Sequence, residues 1–106
     1  MAGKYYEAFT EGETIEHDRR RTISESDNQR FCDLTMNGQA LHLDADYAAG
    51  TDFGERVVNG LYIMSLAVGL TGPDTAVANL GYDAVDHPAP VFHGDTVRAE
   101  TTVVEK

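Results

Sequence analysis

The fold is decided by residues 57–70, VVNGLYIMSLAVGL, the longest apolar stretch of the chain. Small and polar residues interrupt this stretch, so it is too short and too broken to span a bilayer. From Gly60 to Leu70 the apolar side chains cover every helical face, which predicts a helix enclosed by other structure rather than one lying on a surface. The pair Gly72-Pro73 predicts the end of that helix.

The remainder of the chain predicts the elements that surround this helix. Strands are expected at residues 12–23, 76–85 and 91–104, and shorter helical segments at residues 25–35 and 42–49. The first short helix begins after Ser24, a hydroxyl N-cap followed by acidic residues, and its side chains Asn28, Arg30 and Asp33 are expected to face water. Together these elements predict an α+β fold in which an antiparallel sheet wraps around the central helix.

The number of strands is small for so apolar a helix. Three strands are few to bury all faces of such a helix, and Lys106 follows the last strand directly. We therefore expect a single domain over residues 1–106 that lacks its last strands or is completed by a partner chain. An unpaired sheet edge would favour such pairing.

The charge of the chain excludes two classes of partner. Its 106 residues include 18 acidic and 8 basic side chains, which give a formal net charge of -10. Nucleic acids and anionic membranes are bound by clustered Lys and Arg, and the one basic run here, residues 19–21, follows several acidic side chains. We expect neither a nucleic acid nor a membrane as a partner.

The acidic excess has an uneven make-up, because the chain has six Arg but only two Lys, Lys4 and Lys106. Acidic surfaces with little lysine favour a salt-adapted protein, in which high ionic strength screens the self-repulsion. The first residues show no apolar stretch typical of a signal peptide. We expect a halophilic, cytoplasmic protein, and an ordinary acidic cytosolic protein is the alternative.

Histidine is the side chain best suited to acid–base chemistry near neutral pH. The chain has His17, His42, His87 and His93. His17 lies in a charged strand and is expected at the surface. His42 follows a polar loop and precedes a short helix, so it is either a catalytic or a structural histidine. His87 and His93 flank a proline connector and are open to both interpretations.

Motifs for metal binding and nucleophilic catalysis are weak. Asp44 and Asp46 follow His42, but without the second histidine or the cysteine pair of a metal motif, so we expect neither a metal nor another cofactor. Cys32 is expected to be a small buried hydrophobic residue. Ser65 lies inside the central helix without a GxSxG motif around it.

The start of the central helix is a further candidate site. A helix that begins near Asn59-Gly60 directs unpaired backbone N–H groups outwards, and such groups can polarise a carbonyl or hold an oxyanion. Gly60 either lets a substrate approach the backbone closely or permits tight packing of the helix. Residue type alone leaves both interpretations open.

A resemblance to a known family is carried by residues 31–70, FCDLTMNGQALHLDADYAAGTDFGERVVNGLYIMSLAVGL. They resemble the hydratase segment of the MaoC-like family, which contains (R)-specific enoyl-CoA hydratases of the hot-dog fold. The family motif runs D-x-N-P-x-H-x-D, then an Ala-rich turn, a Phe, and HGM at the start of the central helix. Residues 78–104, which include ANLGYDAVDHPAPVFHGDTVRAE, resemble the next two strands around P-V-F-x-G-D.

This resemblance covers about residues 5–106 and implies hydration and dehydration of the α,β double bond of an acyl-CoA thioester. In such enzymes an Asp and a His five residues apart activate one water, and a glycine N–H polarises the thioester carbonyl. A serine in the central helix helps to position the Asp. By position, the implied catalytic residues are His42, Asn37 and Gly60, and the implied substrate-binding residues are Ser65 and Asn59.

Several positions depart from the family pattern. Asn37 replaces the catalytic Asp, Asn59 replaces the His of HGM, and Gln39-Ala40 replaces the usual Asn-Pro. Because an amide has no useful basicity, His42 is left as the sole base. T-x-N and V-N-G also occur in mesaconyl-CoA hydratase-like proteins, so resemblance to that branch implies a different, carboxylated acyl-CoA.

Two other functions stay open. Asn37 also suits a hot-dog protein that binds acyl thioesters without turnover, and some hot-dog proteins are thioesterases, although those usually place an acid near the central helix. The resemblance further implies a homodimer or a higher homo-oligomer. Because the phosphates of CoA are anionic, Arg56 or Arg98 would have to offset the acidic surface.

Overall fold

The computed structural model of the chain describes residues 5–75 and 80–106. After a 3₁₀ turn at Tyr6–Ala8, the elements are β1 (Thr14–Thr22), α1 (Glu25–Leu34), α2 (Ala40–Leu43), α3 (Ala45–Ala49), α4 (Gly60–Thr75) and β2 (Thr96–Thr102). The α+β class and the predicted first strand, first helix and last strand are confirmed. The predicted segment 42–49 forms two short helices, because Asp44 caps α3 by accepting from the N–H groups of Asp46 and Tyr47.

The sheet consists of β1 and β2, which pair antiparallel. Between the pairs Glu16–Glu100 and Arg20–Arg98, three residues of β1 face the single residue Ala99, so β1 bulges outwards there. The strand predicted over residues 76–85 is wrong for residues 80–85, which have no strand pairing; residues 76–79 lie outside the described part of the chain. A strand needs a hydrogen-bonding neighbour, and residues 80–85, which are all exposed, have none among the described residues.

The central helix α4 packs against both strands and continues past the predicted stop at Gly72-Pro73. Proline has no N–H to donate to the carbonyl four residues earlier, that of Gly69. The guanidinium of Arg19 donates a hydrogen bond to this carbonyl instead. The carbonyl of Gly69 thus has a donor from β1 in place of the missing N–H of Pro73. The last turn of the helix can therefore contain this proline.

The prediction that α4 is enclosed on all sides is wrong for the described residues. Of its described side chains, Leu70 alone is buried, and Leu61 is 58% exposed. A sheet of two strands covers one side of a helix and leaves the opposite side open. No helix in residues 5–75 and 80–106, α4 included, has the length and hydropathy needed to cross a membrane.

Helix α1 begins as expected, but the face that it buries contains Asn28, which was expected to face water. Ser24 and Asp27 form a capping box, in which each side chain accepts a hydrogen bond from the other's backbone N–H. The expectation that Asn28 faces water is wrong: its exposed fraction is 1%, whereas Leu34 is 83% exposed. Asn28 and Cys32 are four residues apart and therefore share the inward face, and the burial of Cys32 is confirmed.

The surface position expected for His17 is also wrong, because this side chain is only 5% exposed. Side chains of a strand alternate between its faces, so His17 points to the same side as the partly buried Ile15. Its Nε2 lies 2.8 Å from the hydroxyl of Thr101 on β2. The charged neighbours of His17 occupy the opposite, solvent-facing side.

Candidate functional site

A pocket of about 580 Å³ lies beside the N-terminus of α4. Its walls come from His42 on α2, from Phe53, from the connector 86–91, and from four residues around the start of α4: Val57, Val58, Gly60 and Ile63. Most of these side chains are apolar, and the polar ones include two imidazoles, those of His42 and His87. Such a pocket suits an apolar acyl group with a reacting polar centre.

His42 is held by the stretch that leads into α4. Its Nδ1 lies 2.7 Å from the carbonyl oxygen of Val57, and the N–H of Val57 donates to the carbonyl of Leu41 at 3.2 Å. A carbonyl oxygen can only accept, so Nδ1 carries the proton in this bond. In the neutral ring, Nε2 then keeps a free lone pair, which is the form a general base requires.

The first turn of α4 leaves one backbone N–H unpaired. Asn59 caps the helix: its side-chain oxygen accepts from the N–H of Leu61 at 2.9 Å, and its own N–H donates to Asn28 Oδ1 at 3.0 Å. The N–H of Tyr62 donates to the carbonyl of Asn59. Within residues 5–75 and 80–106, nothing accepts from the N–H of Gly60, which lies between these bonded groups.

Asn28 joins the elements of the site, and sequence reasoning missed it. Besides accepting from the N–H of Asn59, its amide Nδ2 lies 3.2 Å from the carbonyl oxygen of His42 and 3.3 Å from Nε2 of His93. One buried amide thus fixes α2, the start of α4 and the turn before β2. The sequence did contain a signal for its burial. Asn28 is three residues before Phe31 and four before Cys32, so it shares the inward face of α1 with them.

His93 lies behind the pocket among charged groups. Burial disfavours the protonated ring and lowers its pKa, and the nearby Arg56 guanidinium lowers it further. Arg56 pairs with Glu25 at 2.9 Å, and this guanidinium holds the pKa of the Glu25 carboxyl below its ordinary value. An uncharged His93 can accept the hydrogen bond from Asn28.

His87 lies directly against the start of α4. An ideal Cβ built on Gly60 would lie 3.0 Å from Nε2 of His87, 3.1 Å from its Cε1 and 3.2 Å from its Cδ2. The tip of the imidazole therefore fills the space of the missing side chain. Of the two interpretations of Gly60 left open by the sequence, close packing is observed, while its N–H has no acceptor in the described part of the chain.

The other expected site residues lie outside the pocket walls. Asn37 follows the last turn of α1, where its N–H donates to the carbonyl of Cys32, and its Oδ1 accepts from the N–H of Gln39 at 3.2 Å. Ser65 is exposed and donates to the carbonyl of Leu61 in its own helix. Asn59 is 4% exposed, and its amide nitrogen lies 3.8 Å from Cys32 Sγ. The structure thus brings His42 and Gly60 together and adds His87.

The expected basic residues are also away from the pocket. Arg56 is engaged with Glu25, and Arg98 lies on β2 beside Glu16 and Glu100. No three His, Cys, Asp or Glu side chains of the described residues converge as metal ligands would.

Comparison with known proteins gives a consistent result. Residues 7–106 match the MaoC like domain family. The chain is 38% identical over 106 aligned residues to mesaconyl-CoA hydratase from Cereibacter sphaeroides, covering 97% of this chain but 31% of that protein. It is 36% identical over 104 aligned residues to (R)-specific enoyl-CoA hydratase from Rhodospirillum rubrum, covering 93% of this chain and 69% of that protein. The chain thus spans less than a third of the first relative's length.

A solved structure shows the same likeness. The R-hydratase PhaJ1 from Pseudomonas aeruginosa, in its unliganded form, superposes with a TM-score of 0.79 and 28% sequence identity. The superposition covers 95% of this chain and 65% of that one. It confirms the hot-dog architecture expected from residues 31–104.

Proposed function

The chain belongs to the MaoC-like domain family, and we propose that it adds water to, and removes water from, the α,β double bond of an acyl-CoA thioester. One observation carries this proposal. His42, with Nδ1 engaged by Val57, and Gly60, with an unpaired N–H, line the same pocket at the N-terminus of α4. A base and an oxyanion donor facing one apolar pocket are the two groups that this reaction requires.

The proposed hydration proceeds through these two groups. Nε2 of His42 takes a proton from water while the water oxygen forms a bond to Cβ of the enoyl group. The π electrons move to Cα and the thioester carbonyl, and the N–H of Gly60 stabilises the negative charge that develops on the oxygen. Protonated His42 then gives its proton to Cα, which returns the base to its starting form; dehydration is the reverse.

Asn37 stands where the family has its catalytic Asp, and an amide cannot act as a base. His42 is therefore the sole base in this proposal. We assign Asn37 the task of holding the loop before α2, because its Oδ1 fixes the N–H of Gln39. Asn59 is assigned to capping, which leaves the N–H of Gly60 available for substrate. Ser65 remains a proposed substrate-side residue by family position alone.

The finer features expected from the sequence belong to the same proposal. A mesaconyl-CoA type of substrate is supported by the relative from Cereibacter sphaeroides, whose name carries that substrate. A homo-oligomer is supported by the uncovered apolar side of α4. A salt-adapted protein is supported by the net charge of -10 with only two lysines. A cytoplasmic setting in acyl-CoA or fatty acid metabolism is proposed together with the hydratase function.

The proposal is tested with crotonyl-CoA and mesaconyl-CoA by following the loss of enoyl-thioester absorbance. We expect turnover by the unaltered chain at high salt and a loss of about 10²- to 10⁴-fold in His42→Asn. This variant is matched, because its amide can still donate to the carbonyl of Val57 but cannot act as a base. Binding of acyl-CoA without turnover would instead identify a thioester-binding protein, and release of free thiol would identify a thioesterase.

A further inference from the structure

We infer that His87 is a second donor to the thioester oxygen, so that Nε2–H of His87 and N–H of Gly60 together form the oxyanion site. This inference rests on the proposed function, because it concerns the same pocket and the same reaction. It adds a residue that family position did not indicate.

The contact between the two residues places a polar atom beside Gly60, the residue that carries the open N–H. The atom of His87 nearest to the ideal Cβ position of Gly60 is Nε2, at 3.0 Å, and the two carbons beside it are slightly farther away. The edge of the ring that meets the helix therefore carries the nitrogen. Both His87 and Gly60 line the pocket, so an oxygen that enters it can meet both donors.

The connector that carries His87 is fixed to the same stretch that holds His42. The N–H of Val58 donates to the carbonyl of Val91 at 2.8 Å, and Val57 forms a β-bridge with Phe92. Between His87 and Val91 the connector includes Pro88 and Pro90, whose rings restrict the backbone to extended conformations. Val57 and Val58 thus hold the imidazole of His42 directly and the connector of His87 through its far end.

The chemistry of water addition explains why a second donor matters. Negative charge develops on the thioester oxygen as the water oxygen attacks Cβ, and preorganised donors aimed at this oxygen lower the barrier. The N–H of Gly60 supplies one donor, while its neighbours at residues 59, 61 and 62 are already bonded. An imidazole with its proton on Nε2 supplies another without any change in the backbone.

The competing interpretation is that His87 only packs against Gly60. Two substitutions separate packing from hydrogen bonding. His87→Phe retains a flat ring of similar size but has no donor, whereas His87→Gln carries an amide N–H₂ that can reach the position of Nε2. His87 is exposed, so neither substitution disturbs a buried core.

The experiment compares kcat and KM of the full chain and both variants with an enoyl-CoA substrate. We expect kcat of His87→Phe to fall by about 10²- to 10³-fold with KM little changed, and kcat of His87→Gln to fall by less than about tenfold. Circular dichroism checks that each variant is folded, and His87→Ala replaces the Phe variant if that one is not.

Equal kcat values in the Phe variant and the unaltered chain, or equal losses in Phe and Gln, would overturn the role of His87 alone. Absence of turnover in the unaltered folded chain would overturn the proposed function and the role of His87 with it. The two failures are therefore distinguishable.

Discussion

The imidazole of His87 occupies the space that a side chain on Gly60 would need, with Nε2 3.0 Å from the ideal Cβ position. The glycine at the start of α4 is thus required by the protein's own histidine as well as by any ligand. A side chain at residue 60 would displace the ring and leave the backbone N–H where it is. Such a substitution therefore removes His87 from the proposed oxyanion site and retains the N–H of Gly60.

Gly60→Ala is expected to lower kcat by about tenfold or more, because the added methyl group displaces His87 from the pocket wall. Gly69→Ala is the matched control in the same helix, since a Cβ there would meet nothing within 4 Å. We expect the control to keep its activity and to gain about 0.5–1 kcal/mol of stability, because alanine favours the helix. Enoyl-CoA turnover and urea unfolding measure both effects. Equal activities in the two variants would contradict the role of the Gly60–His87 contact.

Asn28→Leu is expected to lower the free energy of unfolding by about 1–3 kcal/mol, because it leaves the buried N–H of Asn59 and the carbonyl of His42 without partners. Asn28→Asp keeps the acceptor for Asn59 but places a buried carboxylate oxygen against the carbonyl of His42, so it is expected to be destabilised as well. Gln29→Leu is the control on the exposed face of α1. Urea unfolding gives the three values. A cost for Asn28→Leu no larger than that for Gln29→Leu would show that Asn28 does not hold the site together.

His93 is expected to make stability fall in mildly acidic solution. Its pKa in the folded chain lies below the ordinary 6.5, because burial and Arg56 outweigh the opposing charges of Glu25 and Glu55. As the pH falls through 6.5 and then through the lower folded pKa, the unfolded chain binds the proton first, so stability is lost. Above that window the contribution is complete. Protonation also prevents Nε2 from accepting the hydrogen bond of Asn28.

His93→Gln removes the titrating group and leaves a neutral acceptor. We expect the unfolding free energy of this variant to decrease less than that of the unaltered chain between about pH 7.5 and pH 5.5. The two proteins are identical at every other position, so the difference between their profiles reports His93. Parallel pH profiles for the two proteins would contradict the assignment.

Salt is expected to stabilise the chain. A net charge of -10 on 106 residues produces self-repulsion, which is screened over about 3 Å at 1 M salt. The midpoint of thermal unfolding is therefore expected to rise from dilute buffer to molar KCl, and equimolar NaCl tests whether the effect is general screening. Full stability in dilute buffer with no further gain in KCl would contradict the salt-adapted interpretation.

Local patterns in the sequence predicted most of the backbone. The alternation over residues 91–104 predicted β2, and the Ser24 cap predicted the start of α1. The apolar stretch after Asn59 predicted α4, because its length and its apolar side chains on every helical face are typical of an enclosed helix. Each of these signals depends on residues close together in the chain, so no long-range contact was needed to interpret them.

The errors arose where distant residues decide the outcome. The stop at Gly72-Pro73 failed because Arg19, fifty residues earlier, satisfies the carbonyl of Gly69. The exposure of His17 was mispredicted because its strand neighbours are charged, while its burial depends on β2 and α4.

In the candidate site, too, local signals were interpreted correctly and long-range contacts were not. His42 was a candidate by residue type and Gly60 as the start of the central helix, the family resemblance implied their catalytic roles, and both line one pocket in the structure. Asn28 was missed, because it acts through three hydrogen bonds to other elements. His87 was left open between a catalytic and a structural role, because it reaches Gly60 from a connector beyond α4. The contacts of both residues join elements that lie far apart in the sequence.

The most direct test of the account is the rate of enoyl-CoA hydration by the unaltered chain and by His42→Asn, measured side by side at high salt. The account predicts loss of enoyl-thioester absorbance with the unaltered chain and a rate lower by about 10²- to 10⁴-fold with the variant. Equal rates in two folded samples, or no hydration by the unaltered chain with either crotonyl-CoA or mesaconyl-CoA, would contradict it.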